Sequence, residues 1–86
     1  MHTVDLLQEA LRVAEEAGYK VRQEWLGGAP GGGCEIRGRK WLFLNLDLGP
    51  AEQLEEVLST LKRDPLVPSV RMAEQLRGLL RVRKSA

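Results

Sequence analysis

The heptapeptide Gly27-Gly28-Ala29-Pro30-Gly31-Gly32-Gly33 constrains this chain more than any other stretch. Five glycines and a proline oppose both a helix and a strand ladder, so these residues must form a loop. The loop separates two segments that alternate with period 2. In residues 19–26, Tyr19, Val21 and Trp25 alternate with Lys20, Arg22 and Glu24, the pattern of a half-buried strand. In residues 34–37, Cys34 and Ile36 alternate with Glu35 and Arg37. Gly38-Arg39 then reads as a tight reversal into residues 40–46, Lys40-Trp41-Leu42-Phe43-Leu44-Asn45-Leu46, the strongest strand pattern in the chain. The simplest topology for three strands so connected is an antiparallel meander.

Helical periodicity flanks these strands. Val4, Leu7, Ala10, Leu11 and Ala14 recur at helical spacing, which predicts a helix over 3–17 with Thr3 as N-cap and Gly18 at its left-handed end. Pro50 suits the first turn of a second helix over 50–63, with Ala51, Leu54, Val57, Leu58 and Leu61 as its apolar stripe and Asp64-Pro65 as its stop. Ser69 can cap a third helix over 69–82, whose stripe is Met72, Ala73, Leu76, Leu79 and Leu80. The expected order is α-β-β-β-α-α, an α+β domain spanning 1–86 with an antiparallel sheet packed on helices.

Size makes that arrangement demanding. A chain of 86 residues forms one domain, and a chain of this mass buries only about 60–65% of its unfolded surface. Three strands spaced about 4.8 Å apart hold two helices comfortably on one face and a third awkwardly. The third helix therefore needs another place, either over the second sheet face or against another chain. That second face draws interest because the 40–46 strand is apolar on both sides. If Leu42, Leu44 and Leu46 join Val21, Trp25 and Ile36 in facing the helices, Trp41 and Phe43 emerge among Arg22, Glu24, Glu35 and Arg37.

Charge and rare residues narrow the chemistry. Residues 1–66 carry 8 Lys+Arg against 11 Asp+Glu, a balance of −3, whereas 67–86 carry 5 against 1, a balance of +4. The chain therefore ends in a basic tail, where Arg77, Arg81 and Lys84 would share a helical face near Arg71, a candidate nucleic-acid contact. The alternative is a set of cations at a favourable helix C-terminus. A lone Cys34 closes no intrachain disulfide, which fits a reducing cytoplasmic setting, and no apolar run reaches the ~18–20 residues that cross a bilayer. No two His or Cys residues share a metal-binding spacing, so no metal or other cofactor is expected. Gly31, Gly32, Gly33 and Cys34 are a candidate anion or thiol site, since unhindered amides can form a nest and activate a thiolate. Against this, the loop lacks a Gly-Lys-Ser/Thr end and joins strand to strand, and the phase of Cys34 with Ile36 reads as a buried structural cysteine.

Gly18 to Leu26, Gly31-Gly32-Gly33-Cys34 and Trp41-Leu42-Phe43-Leu44-Asn45 together resemble a group of small bacterial proteins to which no activity is assigned. The likeness covers about residues 5–63; it implies a bacterial cytosolic domain and supplies no catalytic residue. A fainter similarity is to small zinc peptidases associated with antitoxins, in which an Asn-ending strand precedes the active-site helix. Here that helix reads Glu52-Gln53-Leu54-Glu55-Glu56-Val57-Leu58 and has no His-Glu-x-x-His, so zinc hydrolysis is not implied. The expectation is a non-enzymatic module for protein interaction or self-association as a homodimer, with Trp41, Phe43, Met72, Leu76 and Leu80 as its surface. The alternatives are a nucleic-acid accessory protein using the basic tail, and an anion- or thiol-dependent site at the glycine loop.

Overall fold

The computed structural model describes residues 1–81. In chain order it contains α1 (Thr3–Glu16), β1 (Tyr19–Glu24), β2 (Gly32–Ile36), β3 (Arg39–Asn45), α2 (Pro50–Lys62), a 3-10 turn (Val67–Ser69) and α3 (Glu74–Leu80). The α+β class and the element order match expectation, but the strand pairing does not. The sheet is mixed, in the order β1-β3-β2, with β3 parallel to β1 and antiparallel to β2. This corrects the antiparallel meander. A central strand is paired on both edges and suits the segment with apolar side chains on both faces, which is β3; β2 is short and begins with glycines.

The glycine loop makes this order attainable. β1 ends at the same end of the sheet as β3, with Glu24 paired to Asn45 and Tyr19 to Lys40. The loop then passes across the end of β3 to start β2 on its far side. Two hydrogen bonds mark the passage: Leu46 N–H donates to Glu24 O (2.9 Å) and Gly27 N–H to Asp47 Oδ2 (3.0 Å). β1 stops at Glu24, two residues short of the predicted end, and Trp25 lies beyond it 73% exposed. Trp25 is therefore not core. β2 returns to β3 through Arg37 and Gly38, at φ 51° and 77°, the paired left-handed positions of a two-residue hairpin turn. The predicted reversal is thus real but one residue earlier.

One core joins the helices to a single sheet face. Leu6, Leu7, Ala10, Val13 and Ala14 of α1 meet Leu54, Val57 and Leu61 of α2 and Leu42 and Leu44 of β3, all buried. Thr3 is the first residue of α1, not its cap: His2 holds the N-cap position with no side-chain bond.

The C-terminal third departs most from expectation. The predicted 69–82 helix is replaced by the 3-10 turn, an extended stretch and the seven-residue α3; residue 82 and the rest of the basic tail lie outside the described residues. The stretch stays extended because its hydrogen bonds and side chains are claimed elsewhere. Arg12 Nη2 donates to Arg71 O (2.8 Å), Ala73 N–H donates to Glu9 Oε2 (2.8 Å), and Met72 is buried. Glu9 thus caps α3 from α1. The hydrogen bond from Arg12 holds its carboxyl below the usual carboxylate range, outweighing partial burial, with Ala73 N–H adding to the effect. Glu9→Ala removes both the cap and the partner of Arg12, and is expected to cost about 1–2 kcal/mol. Its signature in amide hydrogen exchange is loss of protection in α3 and residues 70–73 with α2 unchanged; uniform loss would contradict a local clamp.

Candidate functional site

Alternation along β3 divides its side chains between two environments. Lys40, Leu42 and Leu44 face the helices, whereas Arg39, Trp41 and Phe43 face away from them, with both aromatic rings half-buried. Register then assigns the neighbours. Lys20 and Arg22 of β1 stand beside Trp41 and Phe43; on the other side, Cys34 stands beside Trp41, Gly32 beside Phe43 and Ile36 beside Arg39. Cys34 and Ile36 are both exposed, Ile36 by 49%, which corrects their expected burial. Glu35 lies on the opposite face, opposite Lys40, so it is not part of the aromatic patch.

The two rings are arranged as a pair. Their centroids are 6.3 Å apart and their planes are 15° from parallel, a stacked geometry on consecutive outward positions of the middle strand. Lys20 Nζ lies over the Trp41 ring at 5.7 Å from its centroid. Arg22 pairs with Glu24 (2.9 Å), both substantially exposed. The face therefore has a ridge of two aromatics, a gutter of small residues at Gly32 and Cys34, and a row of cations. Lys20, Arg22 and Arg39 outnumber Glu24 there by three to one.

The other candidate residues are placed differently. Met72, Leu76 and Leu80 are buried in the chain's own core, at 8%, 0% and 6% exposure. This corrects their assignment to a surface: α3 is short enough to sit with α1 and α2 on the covered face, where its apolar stripe is consumed. Arg77 is half-buried and donates to Val70 O (3.4 Å), while Arg81 ends α3 at φ 55°. The helical line through Arg77, Arg81 and Lys84 therefore stops at Arg81, with Lys84 outside the described residues. In the glycine loop, Gly31 N–H donates to Glu56 Oε2 (3.0 Å) and Gly33 N–H to Thr60 Oγ1 (2.9 Å). The Gly31 amide thus holds the chain's own Glu56 carboxylate, and the Gly33 amide a neutral hydroxyl.

A network absent from the expectations lies at the opposite end of the sheet. Tyr19 Oη and Lys40 Nζ both donate to Asp64 Oδ2 (2.7 Å each), Leu66 N–H donates to Asp64 Oδ1 (2.8 Å), and Lys40 Nζ lies 4.6 Å from the Tyr19 ring centroid. It borders an open cleft of about 430 Å³ that also touches Cys34, Glu35 and Arg63. The contacts tie the start of both parallel strands to the end of α2. Its sequence signal was weak, because Asp64-Pro65 reads as a helix stop before it reads as a buried acceptor.

Among the described residues, no group of three or more His, Cys, Asp or Glu side chains is placed to hold a metal ion, and no helix is long and apolar enough to cross a membrane. Comparison with protein-family models, curated proteins and solved structures finds no match.

Proposed function

We propose that this chain is a small non-enzymatic binding module whose docking surface is the open face of its sheet. The observation that carries the reading is the position of Trp41 and Phe43, large apolar side chains left partly exposed on the middle strand while the helices share one core on the other side. Aromatics that stand on a solvent face cost solubility, and their retention is expected where a partner covers them. The lone exposed thiol of Cys34 suits a reducing, cytoplasmic setting.

A stability measurement separates docking residues from structural ones. Trp41→Thr and Phe43→Thr replace each ring with a residue that suits an exposed strand, so each is expected to lower the unfolding free energy by less than ~1.5 kcal/mol, mostly through the lost ring pair. Leu42→Ala, between them on the buried face, is expected to cost about 2–5 kcal/mol in the same urea titration. Losses of similar size for all three would make Trp41 and Phe43 structural and overturn the reading.

A further inference from the structure

Resting on that docking surface, we infer that its occupant is a short single strand of nucleic acid, two bases stacking on Trp41 and Phe43 while its phosphates run past Lys20 and Arg22. The size of the face argues first against a protein. Three strands of six, five and seven residues present at most roughly 14 by 23 Å, about 300 Å² of flat surface, against the ~800 Å² per partner of a standard protein interface. A second copy would also bring a second set of Lys20, Arg22 and Arg39 against the first, and like charges placed face to face oppose association.

The chemistry of the face suits a nucleic-acid strand in three respects. Sheets that bind single-stranded RNA present aromatic rings on which two or three bases stack, and here two near-parallel rings occupy consecutive outward positions of one strand. Gly32 and Cys34, the residues beside Phe43 and Trp41, are small and leave that flank of the rings open to a base. On the other flank stand Lys20 and Arg22; Glu24, the one carboxylate there among the described residues, is paired with Arg22, so Lys20 carries the net positive charge of that flank. In the free chain the Lys20 ammonium lies over the Trp41 ring. A base stacking on that ring displaces a flexible side chain and leaves its charge beside the incoming phosphate, an exchange of one cation partner for a stronger one. Stacking accepts any base, so the expected binding discriminates strandedness more than sequence.

The test uses the full chain carrying Trp25→Phe, so that fluorescence reports Trp41 alone. The probes are an oligouridylate and an oligothymidylate of about eight nucleotides, and a duplex of equal length, at about 50 mM salt. The expected result is saturable quenching by both single strands, with the duplex at least about tenfold weaker because its bases are already stacked. Quenching by the uridylate alone also supports the inference and adds a contact to the 2′-hydroxyl. Phe43→Ala, read by anisotropy of a labelled strand, is expected to weaken binding at least about fivefold, and Lys20→Gln to reduce the slope of log affinity against log salt by about 0.7. Lys20 is an exposed side chain, so that variant stays informative if Phe43→Ala folds poorly. Three outcomes overturn the inference: no binding at this salt; duplex and single strand bound equally, with Phe43→Ala without effect; or a self-associated protein that Phe43→Ala makes monomeric in sedimentation. The last leaves the docking surface standing with a second copy on it, whereas structural losses in the threonine variants remove the surface itself.

Discussion

Gly33→Ala is expected to destabilise the fold by about 2–4 kcal/mol, a large effect for one methyl group. A Cβ at this position would press into the Thr60 Cγ2 methyl and lie 3.2 Å from its Oγ1. Thr60 is buried and cannot turn away freely: its hydroxyl accepts from Gly33 N–H (2.9 Å) and donates to Glu56 O (3.3 Å). The substitution therefore combines overpacking, about 1–3 kcal/mol, with loss of a buried hydrogen bond worth about 1 kcal/mol. Its backbone is not in the left-handed region, so the effect is one of space and not of conformational strain. That attribution has its own check. Thr60→Ser keeps the hydroxyl and removes the methyl, and the double variant is expected to recover more than half of the loss in urea unfolding. A cost below 1 kcal/mol for Gly33→Ala, or no recovery in the pair, would disprove the contact.

Asp64→Ala is the second large effect, about 2–3 kcal/mol. It leaves Lys40, whose side chain is only 25% exposed, without its carboxylate and removes the acceptor of Tyr19. The same network sets limits in pH. Burial pushes the Asp64 carboxyl up, but hydrogen bonds from Lys40, Tyr19 and Leu66 N–H prevail and hold it below the usual carboxylate range. A folded value below the unfolded one gives stability that is present above about pH 4 and lost as pH falls through the folded value. Tyr19 behaves in the opposite sense. Burial first, and then the Asp64 hydrogen bond, push its phenol up from 10.0 to about 12. Stability from this shift is intact below pH 10 and is lost as pH rises towards 12, because the unfolded chain ionises first. Tyr19→Phe is expected to abolish that alkaline loss at a cost of about 1 kcal/mol at neutral pH. A Tyr19→Phe variant that still loses the same increment between pH 10 and 12 would show that another group titrates there.

Element types and order were legible in the sequence because each strong segment agrees with its period. α1 and α2 carry apolar stripes with local stops, and their ends fall within a residue of expectation. Strand order was not, for a physical reason. The loop between β1 and β2 can reach an adjacent strand or pass over one, since seven residues far outspan two strand spacings. The deciding signal was present in β3, whose Trp41 and Phe43 on one face and Leu42 and Leu44 on the other mark a middle strand. The faces of β2 were misjudged for a separate reason: a two-residue turn pairs Cys34 with Trp41 and Ile36 with Arg39 on the outward side and Glu35 with Lys40 on the covered side, whatever the strand order. With Glu35 counted on the open face, the charges there read as Arg22 and Arg37 against Glu24 and Glu35, which conceals the excess of cations. The C-terminal segment misled differently. Met72 and Leu76 fit one helical stripe, yet the Glu9–Arg12 clamp holds Met72 in an extended stretch, and only Leu76 falls within α3.

The passage of the glycine loop across the end of β3 also sets an order of events for the chain as it leaves the ribosome. β2 and β3 are joined by a two-residue turn and can zip together as soon as both have emerged. β1 emerges earlier, but its partner edge belongs to β3, the last strand made, so each of Tyr19 to Glu24 must wait through about twenty residues of synthesis for its partner. During that interval α1 has neither α2 nor α3 to cover Leu7, Ala10 and Val13. The nascent chain thus exposes an amphipathic helix and an unpaired strand together, a window in which chaperones, or a neighbouring copy on the same message, have access to segments that the finished fold conceals.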